Sequence, residues 1–168
     1  MRSKASVGGH PIHPMIIPFP IVLFFAALLF DLVHAWRKSD FWYKLSSWNL
    51  ILGLVGGASA AIPGVIDYFT SLNISARRPT VFHALLNIAA IIVGALNLVL
   101  RLYGRASTGP RRSYTMLLSA FSAALLTLSG WFGGEIVYRH GVAVEPAPPH
   151  RYRIASQGSD KEAAHEAA

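Results

Sequence analysis

Hydrophobic residues dominate four long stretches of the chain, and short polar segments separate these stretches. They cover Met15–Trp36, Leu45–Phe69, Val81–Leu102 and Tyr114–Tyr138. At about 1.5 Å of rise per residue, each stretch can cross about 30 Å of hydrocarbon as a helix. The pattern therefore predicts an all-α protein with four transmembrane helices.

The polar breaks are short and turn-like, at 39–40, 73–79 and 107–110. Short links make consecutive helices antiparallel neighbours, which predicts an up-down-up-down four-helix bundle. After residue 143 the chain turns proline-rich and then alternates small and charged residues. We expect a membrane domain over 1–143 and a disordered polar tail over 144–168.

Composition supports a membrane protein, with 53% hydrophobic and 14% charged residues and a net charge of +7. The basic residues flank the apolar stretches, where anionic lipid head groups explain them, so the expected partner is the lipid bilayer and not nucleic acid. Cysteine is absent from the sequence. This excludes disulfides, thiolate metal ligands, iron–sulfur clusters and covalently attached haem, and leaves histidine and carboxylate as metal ligands.

The first span is expected to stay in the mature protein, because the basic start Met1–Lys4 is followed by a long apolar run without a small-x-small cleavage site. Four spans place both termini on one side of the membrane. Lysines and arginines in the connecting loops favour the first and third loops in the cytoplasm, and therefore outward-facing termini.

Polar residues recur at those helix ends that the alternating topology brings to one membrane face. They are His10, His13, Asp67, His83, Glu135, Arg139 and His140. Ionisable groups near membrane helices generally mark functional sites. The prolines around His13 predict a stiff, non-helical entry over His10–Pro14.

His83 and Asn87 are one helical turn apart on the polar face of the third span. This spacing suits a metal ligand with a supporting hydrogen-bond partner, and it equally suits a hydrogen bond between helices. In the second span, Gly53 and Gly57 form a small-residue stripe that predicts close helix packing.

A second polar group is expected at the opposite membrane face. Asp31 and His34 on the first span lie at the depth of Asn49, Asn97 and Arg101 on the second and third. Pairing of Asp31 with Arg101 would lower the cost of both charges, so this group predicts a structural clamp and not a catalytic site.

The two halves of the chain share a short pattern, in which a hairpin begins with histidine and ends with glycine, an acid and tyrosine. Gly64–Tyr68 matches Gly134–Tyr138 in this way. A duplicated hairpin and a coincidence both account for a match of this length.

Several motifs together resemble the bacterial membrane family called domain of unknown function 2231. The motifs are Gly9–Pro14, Phe30–Asp31, Asp67, His83–Asn87 and Gly133–Val142. The resemblance implies a four-helix protein of the bacterial inner membrane and supplies no settled activity. The arrangement is similar, more distantly, to four-helix membrane cytochromes b.

Three functional hypotheses fit these observations. In the first, a b-type haem is bound by His83 and by one of His10, His13 or His140, and the protein passes electrons to a membrane redox partner. Asn87 would support His83 and Arg139 would meet a haem propionate.

In the second hypothesis, a divalent metal such as zinc, copper, iron or manganese is bound by histidines and carboxylates. The candidate ligands are His10, His13, Asp67, His83, Glu135 and His140. In the third, the protein has no cofactor and docks a partner. No nucleophile with an adjacent base and no phosphate loop is recognisable, so the sequence assigns no enzymatic reaction.

Overall fold

The computed structural model describes residues 3–70, 78–103 and 110–142. Its elements are the strands β1 (Ser6–Val7) and β2 (His10–Pro11) and the helices α1 (Ile12–Ile16), α2 (Pro18–Arg37), α3 (Asp40–Thr70), α4 (Arg78–Tyr103) and α5 (Pro110–Tyr138). Within the described ranges, four helical segments are long and apolar enough to cross a membrane, and α1 with α2 forms the first. The predicted all-α, four-span architecture is confirmed. The predicted tail at 144–168 and most of the second and third links lie outside the described residues.

The four spans pack as two hairpins, α2 with α3 and α4 with α5. The first hairpin turns sharply at Lys38, whose φ of 54° ends α2 in a left-handed conformation. The two hairpins meet where α2 packs on α5 and α3 packs on α4. Large apolar side chains elsewhere face outward, as expected for helices surrounded by lipid.

One aromatic ring lies at the centre of the bundle. Phe24 on α2 is 3% exposed and lies between two glycines, Gly53 on α3 and Gly94 on α4. A Cβ atom at Gly53 would lie 3.0 Å from Phe24 Cδ2, and one at Gly94 would lie 2.7 Å from Phe24 Cε1. The prediction that Gly53 serves helix packing is therefore confirmed, and Gly94 serves the same ring from the other side.

We expect Gly94→Ala to destabilise the bundle by about 1–3 kcal/mol, because the added methyl group overpacks the Phe24 ring. Gly130→Ala is the matched control, since a Cβ there would meet nothing within 4 Å. Thermal unfolding in detergent should give a lower midpoint for the first variant and an unchanged or higher one for the second. Equal midpoints would contradict the packing argument.

The N-terminal entry differs in part from the prediction for His10–Pro14. His10 and Pro11 are extended in β2, as expected, but helix α1 begins at Ile12 and includes His13 and Pro14. Proline is tolerated there because first-turn residues need no backbone N–H bond within the helix. The hairpin between β1 and β2 turns at Gly8 and Gly9, whose φ values of 57° and 84° favour glycine.

Candidate functional site

His13 packs onto helix α3 at a glycine. Its Nδ1 lies 2.7 Å from the carbonyl oxygen of Ala60, and a Cβ atom at Gly64 would lie 3.0 Å from the same ring nitrogen. The missing side chain at Gly64 therefore makes room for the imidazole, one turn beyond the carbonyl that it contacts.

His83 packs onto helix α5 in the same way. Its Nδ1 lies 2.9 Å from the carbonyl oxygen of Ser129, and a Cβ atom at Gly133 would lie 3.3 Å from that nitrogen. In both hairpins the imidazole contacts a carbonyl four residues before the glycine that admits its ring. The two partners are 47 positions apart in the first hairpin and 46 in the second.

This geometry supports the internal repeat and corrects its alignment. The sequence pattern pairs Gly64 with Gly134, whereas the histidine contacts make Gly64 equivalent to Gly133. A one-residue shift rotates a helical position by about 100°, so only the contacts distinguish the glycine that faces the imidazole.

The hydrogen bonds also define the chemical state of both rings. A carbonyl oxygen only accepts hydrogen bonds, so the Nδ1 atoms of His13 and His83 must carry the proton. In a neutral imidazole this leaves a lone pair on Nε2. Histidines that bind a metal through Nε2 are usually oriented in this way, by a hydrogen bond that Nδ1–H donates.

The two imidazoles lie together between the hairpins. Their ring centroids are 6.3 Å apart and their planes are nearly perpendicular, at 89°. Gly64 and Gly133 lie within two turns of the ends of α3 and α5, on the order of 10 Å from the helix ends. The pair is therefore half-buried between the hairpins and close to one membrane face.

Asn87 and Ser129 support the ring of His83. The amide nitrogen of Asn87 lies 2.8 Å from the His83 carbonyl oxygen, 2.6 Å from Ser129 Oγ and 3.2 Å from His83 Nε2. The contact with Nε2 is the longest of the three. A ligand on Nε2 would replace this contact, and Asn87 would keep its two shorter ones, to the His83 carbonyl and to Ser129 Oγ.

The carboxylates expected at this face are engaged elsewhere. Asp67 accepts hydrogen bonds from Ser3 and from the backbone of Lys4 and Ala5. Glu135 pairs with the exposed Arg139 at 3.3 Å, one turn along α5. Both acids thus have partners other than the histidines.

The remaining candidates lie around the pair. His10 is exposed on β2, and His140 follows the end of α5 and is half-buried. Among residues 3–70, 78–103 and 110–142, no three histidines and carboxylates come together closely enough to hold a metal ion. The structure therefore brings His13 and His83 together, with Asn87 beside them, whereas the wider ligand set stays a prediction.

The comparison with protein families identifies the chain. A family model described as a predicted membrane protein, DUF2231, matches residues 9–146. The chain belongs to the DUF2231 family. No curated protein and no solved structure matches it. The family resemblance drawn from the motifs is thus confirmed, and it places the protein in a membrane without assigning an activity.

The opposite end of this DUF2231 protein holds the expected ion pair. Asp31 and Arg101, 70 positions apart, form a salt bridge in which both side chains are at most 4% exposed. The guanidinium also donates to Asn97, Ser46, Ser47 and Ser119, and Ser119 Oγ donates to Asp31. The guanidinium therefore has partners at all three of its nitrogens, and Asp31 Oδ2 accepts two hydrogen bonds inside the bundle.

Two details of this clamp differ from the sequence interpretation. The Asn49 amide bonds to the Leu45 carbonyl of its own helix and takes no part in it, while the hydroxyls of Ser46 and Ser119 do. Serine is a common packing residue in membrane helices, so the sequence did not indicate that Ser46 and Ser119 would bond to the ion pair. Ser129 and Gly133 are also common types of packing residue, so the sequence did not indicate that they contact His83.

Proposed function

We propose that this membrane protein binds one b-type haem through His13 and His83 and transfers electrons in the membrane. The observation that carries the proposal is the pair of imidazoles, one from each hairpin, each oriented by an Nδ1–H bond to a backbone carbonyl. A b-type haem in an electron carrier would be held by two protein ligands, whereas a zinc-type site needs three or four. A two-histidine site therefore fits a haem better than a non-haem metal.

The separation of the rings supports the same choice. Imidazole nitrogens bind metals at roughly 2.0–2.1 Å, so two histidines that hold one metal must have their rings within several ångströms of each other. The ring centres of His13 and His83, 6.3 Å apart, are close enough for both residues to hold the same group. A haem held by them would supply one-electron chemistry, which is the chemistry of an electron carrier.

This chain would contribute the ligands and their orientation. The carbonyls of Ala60 and Ser129 hold the two rings in the tautomer with an unprotonated Nε2. Gly64 and Gly133 let each ring lie against a helix backbone. Arg139 is exposed at the same face, where it could meet a propionate after leaving Glu135.

Absorbance spectra of the detergent-purified protein test the proposal. They are recorded for the oxidised and the dithionite-reduced protein, each before and after reconstitution with haemin. We expect a Soret band, sharpened bands on reduction and one haem per chain. Elemental analysis runs in parallel. A colourless protein with equimolar zinc, copper, iron or manganese would replace haem by a metal site, and absence of both after reconstitution would favour the cofactor-free subunit.

A further inference from the structure

The N-terminal segment is tied to the end of helix α3 by one carboxylate. Asp67 Oδ2 accepts the Ser3 hydroxyl at 2.6 Å, and Oδ1 accepts the backbone N–H groups of Lys4 at 2.9 Å and Ala5 at 3.0 Å. Both oxygens are occupied by groups more than sixty positions away in sequence. Charge-assisted hydrogen bonds of this kind are stronger than neutral ones.

The same segment leads directly to His13. We call residues Ser3–Pro11 the N-terminal strap. The Ala5 carbonyl accepts the N–H of Ile12 at 2.9 Å, and β1 pairs with β2 within the strap. Ile12 begins α1 and is bonded to His13. Two hydrogen bonds and one peptide bond therefore connect Asp67 to the backbone of His13.

One face of helix α3 supports this histidine at three points. Ala60, Gly64 and Asp67 are spaced by four and three residues, which places them on the same side of a helix. The Ala60 carbonyl accepts a hydrogen bond from the imidazole, Gly64 leaves room for the ring, and Asp67 binds the strap.

His83 has a different support. It lies in the second turn of the long helix α4, and Asn87 and Ser129 contact its side chain directly. His13 instead lies in the five-residue helix α1, near the start of the chain. Although α1 continues into α2 as one membrane span, the backbone N–H groups of its first turn have no partners within the helix, so the position of this turn depends on contacts such as the Ile12–Ala5 hydrogen bond.

We propose that Asp67 is a positioning residue for His13: it anchors the N-terminal strap and thereby holds the imidazole against Ala60. Asp67 contacts no cofactor in this arrangement and acts through the strap alone. The consequence for haem binding rests on the proposed function. The consequence for the strap and for His13 does not, so the two are tested separately.

The first test needs no haem. In the detergent-purified full chain, Asp67→Ala should speed hydrogen exchange at Lys4, Ala5 and Ile12 by about tenfold or more, because their hydrogen bonds depend on the carboxylate. Modification of His13 by diethyl pyrocarbonate, followed by mass spectrometry, should become faster. The rate at His34, at the other end of the bundle, should stay the same, since only a general loosening of the bundle would raise it.

Two further variants make this test sharper. Asp67→Asn keeps the shape but is a weaker acceptor, so its exchange and His13 modification should lie between those of the wild type and Asp67→Ala. Thr70→Ala is the matched control on the same helix end, because its exposed hydroxyl donates to the Ile66 carbonyl of its own helix and not to the strap. It should behave as the wild type in both measurements.

The second test uses the haem-loaded protein. Asp67→Ala should weaken haem binding by about 10–100-fold, as does loss of a group that orients a metal ligand, and should shift the midpoint potential. Wild-type exchange in Asp67→Ala would overturn the anchor. Faster exchange with unchanged His13 modification would overturn the positioning role. If the wild type binds no haem, the proposed function fails, whereas exchange and modification still decide the role of Asp67.

Discussion

Arg101→Met is expected to lower the free energy of unfolding by about 3–5 kcal/mol, because it leaves the Asp31 carboxylate without its counter-charge. Asp31 is 4% exposed and lies in a membrane-spanning helix, where water cannot replace the guanidinium. Methionine keeps an unbranched apolar chain in place of the arginine stem and lacks the guanidinium, so we expect the loss of charge to outweigh the cavity that the shorter side chain leaves. Unfolding in detergent, followed by tryptophan fluorescence, measures the change.

The double variant Asp31→Leu with Arg101→Met should recover much of this loss. Replacing both members of a buried pair by apolar residues is often neutral or stabilising. The hydroxyls of Ser46 and Ser119 would keep the carbonyls of Ala27 and Thr115 as acceptors. The two substitutions should therefore show a strong coupling free energy, and additive losses would contradict a paired clamp.

An exposed arginine provides the comparison. Arg37 lies at the end of α2, with its guanidinium carbon 4.5 Å from the centre of the Trp36 ring. An exposed cation–π contact contributes about 0.5–1 kcal/mol, so Arg37→Met should be several times milder than Arg101→Met. Equal losses would mean that burial does not determine the effect.

Removal of either imidazole of the histidine pair should abolish haem retention. Loss of a group that only supports a metal ligand costs roughly 10–100-fold in affinity, so His13→Ala or His83→Ala should exceed that range. The Soret absorbance after haemin titration and gel filtration measures retention. Added imidazole should restore part of it, because the free base can occupy the space left by the side chain.

His34→Ala is the matched control at the other end of the bundle. The ring of His34 is buried, its Nδ1 lies 2.8 Å from the Ser39 carbonyl, and it packs beside Tyr43. This substitution should lower stability and leave haem content intact. Haem retained in both His13→Ala and His83→Ala, or lost in His34→Ala, would show that the wrong end of the protein has been chosen.

The sequence placed Asp67 at the histidine-rich membrane face but did not predict the contacts that it makes. Asp67 was predicted as a metal ligand because a carboxylate at a membrane helix end needs a partner. In the fold that partner is the N-terminal strap, through Ser3, Lys4 and Ala5. Two of these three donors are backbone N–H groups, which every residue except proline possesses. The amino-acid types at these positions therefore could not indicate that they bind Asp67.

The four spans, their hairpin order and the pairing of Asp31 with Arg101 could be determined from the sequence alone. Crossing hydrocarbon requires long apolar helices, and two opposite charges within such helices have few other partners. Only the tertiary structure decided that His13 lies on Gly64 and His83 on Gly133. Those contacts depend on the rotation and register of one helix against another, and helical periodicity constrains neither closely enough to choose between adjacent residues.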